Sequence, residues 1–462
     1  MTATLDLIIS IVRTPAILVA LIAILGLVLQ KKSFSDVMTG GIKTFIGFLV
    51  LSGGAGIVSG SLAPMGKMFI HAFNVQGVIP NNEAVVATVL VTYGSSTALI
   101  MLVSMIVNVL LARFTSFKYI YLSGHVMIYM SAMLAVIMSV AGFSTWPLIL
   151  LGGLILGVAN TLMPALVQPY VREVTKSDTV ALAHTGDFGY FIAGVIAKAF
   201  GDKSKSTEDL NIPKSVSFLR DSTVSITLTM VVIYVILAIF AGPSYVGKMS
   251  NGVNYIVFAI IQAGTFAGGV YVILAGVRLI LNEIIPAFKG ISEKLVPNAK
   301  PALDCPIIFP YAPNAVIVGF FSSFIGGVLS MILMVLLHTV IVIPGVVAHF
   351  MCGATSGVIG NAVGGRRGAI IGSFVQGIFI SFLPLALIPV LGKVGLGNAM
   401  FSDSDFGIVG SYVGWLGRAG GVAAITAGIL VAFVLLILAS VFVGSRRKAN
   451  LNTNKELGKE NA

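Results

Sequence analysis

Six side chains able to titrate fall inside apolar stretches of this 462-residue chain: His125, Tyr129, His184, Asp187, Glu283 and Asp304. Asn82 and Glu83 open a further apolar stretch. An ionisable group among apolar neighbours costs several kcal/mol on some scales, so such groups mark sites that meet something polar. His125 and Tyr129 are four residues apart and share one helix face. His184, Thr185 and Asp187 sit together in "ALAHTGDFGYF". Asp304 lies in "LDCPIIFPYAPNAV", where Pro306, Pro310 and Pro313 prevent a regular helix and leave backbone groups free for a polar ligand. Imidazole and carboxylate together offer donors and acceptors, which suits the hydroxyl edge of a small solute. Each residue also has a structural reading. A histidine can bond a nearby carbonyl, Glu283 can pair with Arg278 or Lys289 at an interface, and Asp187 can cap a hairpin.

Other chemistries lack their signatures. The sequence has no P-loop, no zinc-type His/Cys spacing, no nucleophile elbow and no cofactor motif. "CGATSG" at Cys352 reads as small-residue helix packing and not as an anion cradle. Two cysteines, Cys305 and Cys352, make neither a disulfide framework nor a metal site.

The frame around these residues is a membrane protein. The chain is 57% hydrophobic and 10% charged, with mean hydropathy +1.02. A soluble domain carries about 25% charged residues. A hydrocarbon core of about 30 Å takes roughly 20 apolar residues per helix. The fold class is an all-α polytopic membrane protein. Eleven spans are expected, at 7–30, 44–63, 86–112, 119–141, 147–167, 223–243, 252–278, 313–334, 337–353, 368–390 and 420–443. Segments 178–200 and 400–418, apolar but broken by Gly, Asp and Ser, read as re-entrant hairpins. The first apolar run, without a small-residue cleavage site, reads as a retained span.

With the N-terminus outside, 23 of the 28 Lys and Arg residues fall on the inner side and 5 on the outer. The net charge of +11 is then a topology signal and not a nucleic-acid footprint. The tail 444–462 is expected to be cytoplasmic and disordered. An internal repeat divides the rest into 1–222 and 223–443. Gly54, Pro64 and Lys67 recur 222 positions on as Gly276, Pro286 and Lys289, and "IPNN" at Ile79 resembles "VPNA" at Val296. Opposite orientation of the halves, with broken helices, points to an alternating-access transporter.

"IKTFIGFLVLSGGAGI", "LSGHVM", "STEDLNIP", "DCPIIFPYAPNAVIVGF" and "IGNAVGGRRGA" together resemble the L-ascorbate family of phosphotransferase-system IIC components, over most of residues 31–443. The resemblance implies a multi-pass bacterial inner-membrane permease embedded in lipid. It implies a homodimer in which a core domain bearing two hairpins moves against a V-shaped dimerisation domain. Transport would be coupled to phosphorylation of the sugar by a cytoplasmic IIB partner, fed by IIA. The chain itself carries no nucleophile. Whether it counts as an enzyme therefore stays open. Substrate-binding positions carried over are His125, Tyr129, His184, Thr185, Asp304, Asn82, Glu83, Gly54 and Ala55. At several of these the chain departs from the family pattern. Tyr129 and Thr185 stand where glutamines are usual, Asn82-Glu83 where Thr-Tyr is, and Ala55 where a serine is. The substrate expected is L-ascorbate or a related sugar or polyol. A proton-coupled carrier of a small polar solute is the rival reading.

Overall fold

The computed structural model describes residues 14–73, 77–210, 218, 221–391 and 399–460, with backbone alone for 15, 18, 19, 22, 55, 59, 222, 225, 281, 283–293 and 446–460. It is a bundle of helices with two small parallel sheets. In chain order the elements are α1 (Pro15–Leu29), α2 (Phe34–Phe73), β1 (Gly77–Pro80), α3 (Asn82–Phe114), β2 (Tyr119–Tyr121), α4 (Gly124–Val140), α5 (Thr145–Thr175), β3 (Ala181–Leu182), α6 (Asp187–Phe200), α7 (Ser222–Ala241) and α8 (Pro243–Gly247). Then come α9 (Tyr255–Leu295), β4 (Lys300–Leu303), α10 (Pro313–Leu336), β5 (Ile341–Val342), α11 (Val346–Leu391), β6 (Ala399–Met400) and α12 (Ser404–Glu460). Among the described residues seven helices are long and apolar enough to cross a membrane, and Gly124–Val140 and Ile226–Ala241 are shorter apolar helices.

Helix starts follow local chemistry. The Asn81 side chain accepts the Ala84 N–H at 2.8 Å and caps α3. Asp221 does the same for α7 through Val224 N–H at 3.0 Å. Pro313 occupies the first turn of α10, where its missing N–H costs nothing. Two helices are broken at Gly-Gly pairs. In α11 the break is at Gly364–Gly365, and in α12 at Gly420–Gly421; the second glycine of each pair has φ +59°. Lipid offers no hydrophobic drive between helices, so close approach depends on small residues. A Cβ on Gly47 would lie 2.7 Å from the Gly276 carbonyl oxygen, which locks α2 against α9. One on Gly319 would lie 2.3 Å from the Gly353 oxygen, which locks α10 against α11.

The sheets satisfy backbone where helices are interrupted. One has the order β5-β1-β6 and the other β2-β4-β3. Gly77 pairs with Ile341 and Ile79 with Ala399 in the first; Lys300 pairs with Tyr119 and Ala302 with Ala181 in the second. The central strand of each sheet therefore takes both neighbours from the other part of the chain. Ile79 of "IPNN" lies within β1, whereas Val296 of "VPNA" precedes β4.

Two spans begin later than the sequence suggests. Residues 119–121 pair as β2, so the helix starts at Gly124. Residues 341–342 pair as β5, and Pro344 denies the next turn an N–H, so α11 starts at Val346. At the far end the helical backbone of α12 runs on to Glu460 instead of ending near 443. Extending a helix already nucleated is easy, and no proline interrupts 444–460.

Candidate functional site

β1 leads into α3, β2 into α4, β3 into α6 and β6 into α12. The four junctions deliver Asn82 and Glu83, then Ser123 to Tyr129, then His184 and Thr185, then Ser402 to Asp405 to one place. Of these, Asn82, Glu83, Ser123, His125, Tyr129, His184, Thr185 and Asp403 line a cavity of about 720 Å³ together with Asp304, Pro306 and Phe309 beyond β4, and with Arg278 and Asn282 of α9. Asn82, Glu83, His125, Tyr129, His184, Thr185 and Asp304 all stand on its wall. Gly54 does not. A Cβ there would meet Ile273 N at 2.7 Å, so Gly54 serves the packing of α2 on α9. The side chains of Ala55 and Glu283 lie outside the described residues.

Asp304 uses its two oxygens differently. Oδ1 accepts the Cys305 N–H at 2.8 Å and caps a single 3₁₀ turn, Cys305–Ile307. Oδ2 lies 3.5 Å from His125 Nε2. The Pro-rich segment thus breaks the helix, and the carboxylate both fastens the broken end and faces the histidine.

Asp403 ties the segment leading into α6 to the segment leading into α12. It is buried and takes hydrogen bonds from Asn82 Nδ2 at 3.1 Å, from Ser402 Oγ at 2.9 Å and from the Thr185 hydroxyl. Asn82 Oδ1 in turn accepts from Ser402 N at 3.0 Å. Next to this, Asp405 caps α6 from outside, accepting Phe188 N at 2.9 Å and Asp187 N at 3.2 Å. Asp403 and Asp405 were not among the sequence candidates. The alternation "SDSD" at the start of α12, 218 positions after Thr185-Gly186-Asp187, is the signal that points to them.

Several lining groups have unmet hydrogen-bonding capacity. Glu83 Oε2, Ser123 Oγ and Tyr129 Oη are buried and have no partner among the described residues. Buried polar atoms are normally satisfied, so these are the wall groups with capacity to bond a polar solute. Metal ligation fits less well. Ligand atoms of His184, Cys352 and Asp403 lie within 4.8 Å of one another, as do those of His184, Asp304 and Cys305. Yet the Tyr190 hydroxyl already touches His184 Nδ1 at 2.7 Å, Cys305 Sγ at 3.1 Å and Cys352 Sγ at 3.6 Å. The space an ion would use between the imidazole and the thiols holds a phenol.

A second polar junction lies apart from the cavity. The Glu208 carboxylate accepts Asn314 N and Ala315 N at 3.1 Å, closing the N-terminus of α10. Asn361 Oδ1 accepts Thr207 N at 2.8 Å, and Arg366 reaches the Ser206 carbonyl oxygen at 3.3 Å. "STED", "PNA" and "IGNAVGGRRG" therefore meet here, and their role is to join α10, α11 and the 201–210 loop.

A family model described as the phosphotransferase-system sugar-specific permease component matches residues 10–405. The ascorbate-specific phosphotransferase-system EIIC component of Mycoplasma pneumoniae is 27% identical over 428 residues, covering 80% of this chain and 65% of that protein. The chain thus spans just under two thirds of that relative's length. The family match extends over most of the sequence and agrees with the motif resemblance. It takes in every polar residue named around the cavity up to Asp405. A multi-pass helical membrane architecture is common to both lines of observation, and the chain belongs to the sugar-specific permease components of the phosphotransferase system.

Proposed function

We propose that the chain is the membrane component through which a small polyhydroxylated solute, L-ascorbate or a related sugar or polyol, crosses by alternating access. Phosphorylation by a cytoplasmic IIB partner, itself supplied by IIA, would couple the step. The observation that carries this reading is the convergence of Asn82, Glu83, His125, Tyr129, His184, Thr185 and Asp304 on one cavity among apolar helices. Carboxylates, imidazoles and hydroxyls at such spacing recognise hydroxyls from several sides. The hairpins and α10–α11 form the part that holds the solute. The glycine-rich pair α2–α9 is the proposed support, and dimerisation through that support is part of the proposal. In each sheet a central strand from one part of the chain is flanked by two strands from the other, which supports a division into two halves.

Membranes containing the chain should accumulate phosphorylated solute only when phosphorylated IIB is supplied. L-ascorbate should be compared with pentoses, hexoses and alditols in the same assay. Glu83 places an acid on the wall, which disfavours an anion and suits neutral hydroxyls. A neutral polyol is therefore expected to compete with ascorbate. An exclusive response to ascorbate would remove Glu83, Tyr129 and Thr185 as selectors.

One observation favours a second reading, proton-coupled transport of unmodified solute. The buried Asp187 carboxylate has no side-chain hydrogen-bond partner among the described residues. Uptake of free solute driven by a pH gradient alone, without IIB, would support that reading and exclude coupling.

A further inference from the structure

His184 stands on the cavity wall, and its ring is held from behind. Nδ1 accepts the backbone N–H of Gly186 at 3.1 Å and lies 2.7 Å from the Tyr190 hydroxyl. A ring nitrogen that accepts an amide N–H has its lone pair in use and carries no proton. With no proton on Nδ1, the Tyr190 hydroxyl 2.7 Å away is the donor of that pair and shares the lone pair with the Gly186 N–H. Its single proton goes to the nearer acceptor, Nδ1 at 2.7 Å, rather than to Cys352 Sγ at 3.6 Å, which leaves the Cys305 thiol to donate to the phenol oxygen. Cys305 Sγ is the nearer thiol, at 3.1 Å. The chain of bonds has one direction: thiol to phenol, phenol to Nδ1.

We propose that Tyr190 and Cys305 are positioning residues that lock His184 as the neutral Nε2–H tautomer, so that it presents a fixed donor to the cavity. The bonds that hold the ring are made at Nδ1, and His184 lines the cavity. A second observation supports a built device. Gly186 has φ −104°, which any residue adopts, so its backbone does not require glycine. The space does. A Cβ at 186 would lie 2.4 Å from the Tyr190 hydroxyl oxygen. Gly186 therefore supplies one N–H to Nδ1 and leaves room for the second donor. Tyr190 and Cys305 are both fully buried, and their network is closed to solvent.

The consequence for the solute rests on the permease reading. The atom that meets His184 must be an acceptor, a ring, carbonyl, enolate or hydroxyl oxygen offering a lone pair. The carboxylates of Asp304 and Asp403 nearby accept, so they require hydroxyl hydrogens. A polyhydroxylated ligand satisfies both demands with vicinal oxygens of different roles.

The tautomer is measured without any solute, so its failure is separable from that of the transport reading. Nitrogen-15 NMR of histidine-labelled full-length protein in lipid, with His184→Gln to assign the ring, reads both nitrogens directly. The expected spectrum has an unprotonated, hydrogen-bonded Nδ1 and a protonated Nε2. A proton on Nδ1, in the other neutral tautomer or in the imidazolium, overturns the proposal. Tyr190→Phe should move the Nδ1 resonance downfield as its stronger bond is lost, and Cys305→Ser, whose hydroxyl also donates, should leave it in place. An Nδ1 resonance unmoved in Tyr190→Phe removes Tyr190 from the role. The unmutated protein still decides the tautomer if that variant does not fold.

Discussion

Asp304 divides its oxygens between a cap and a histidine, and substitutions can separate the two. Asparagine keeps an oxygen to accept the Cys305 N–H at 2.8 Å while replacing the carboxylate edge 3.5 Å from His125. A hydrogen bond to a charged group contributes about 1.5–3 kcal/mol, so Asp304→Asn should weaken solute binding roughly 10- to 100-fold with little change in melting temperature. Isotope-labelled solute binding alongside a melting curve checks both halves. An unchanged affinity with a lowered melting temperature would leave Asp304 as a cap alone. Asp403 should behave differently. Three side chains donate to it from three segments, so Asp403→Ala leaves buried donors unpaired and is expected to reduce folded yield as well as binding. His125, His184 and Asp304 were legible in the sequence because a polar side chain in an apolar run is conspicuous. Asp403 was less so, since it sits in a short polar cluster that reads as a turn. Its partners Asn82 and Thr185 are hundreds of positions away in the chain, and only the folded arrangement supplies them.

At the scale of elements, the two glycine breaks form a matched pair with different surroundings. Gly365 and Gly421 share φ +59°. A Cβ on Gly365 would lie 2.0 Å from the Asp202 carbonyl oxygen, whereas one on Gly421 meets nothing within 4 Å. Gly421→Ala should therefore cost only backbone strain, about 1–3 kcal/mol. Gly365→Ala should cost clearly more, because a backbone carbonyl cannot swing aside. Comparing detergent-resistant folded yield of the two variants reads this difference. The clamp on the loop between α5 and β3 gives a pH-dependent counterpart. Asp178 lies outside the membrane-spanning helices and joins α5 to β4. Burial alone would raise its pKa, but bonds from Lys300, Arg172 and Gln168 outweigh that and bring it down to about 2 from 3.8. A depressed folded pKa contributes stability above the unfolded value and loses it as pH falls through the folded one. With its side chain 46% exposed, the effect is small. Asp178→Asn should lower the melting temperature by about 1–3 °C at pH 7, with the gap closing as pH falls from 4 toward 2. Helices were legible from apolar length alone, but β2 and β5 were not. Tyr119–Tyr121 and Ile341–Val342 are as apolar as the helices that follow them, and their pairing strands lie elsewhere in the chain.

At the scale of the whole molecule, the remaining question is which face looks inward. The Lys and Arg bias assigns 23 of 28 to one side, and the described fold puts members of that majority at shared places. Arg172 and Lys300 meet on Asp178, and Arg366 closes on the 201–210 loop. The polar junction of Glu208, Asn314 and Asn361 belongs to the same face as Arg366. Positively charged loops are retained on the cytoplasmic side during insertion, so this face is expected inside and the α12 extension with it. A reporter active only in the cytoplasm, fused after Ala462, should be active, and one active only in the periplasm should be silent. A cysteine-reactive, membrane-impermeant reagent gives an independent reading. Lys205→Cys should react only in inverted vesicles, and Lys248→Cys, which belongs to the minority of 5, only in intact cells. The opposite pattern at both positions would invert the molecule and place the Glu208 junction away from any cytoplasmic phosphate donor.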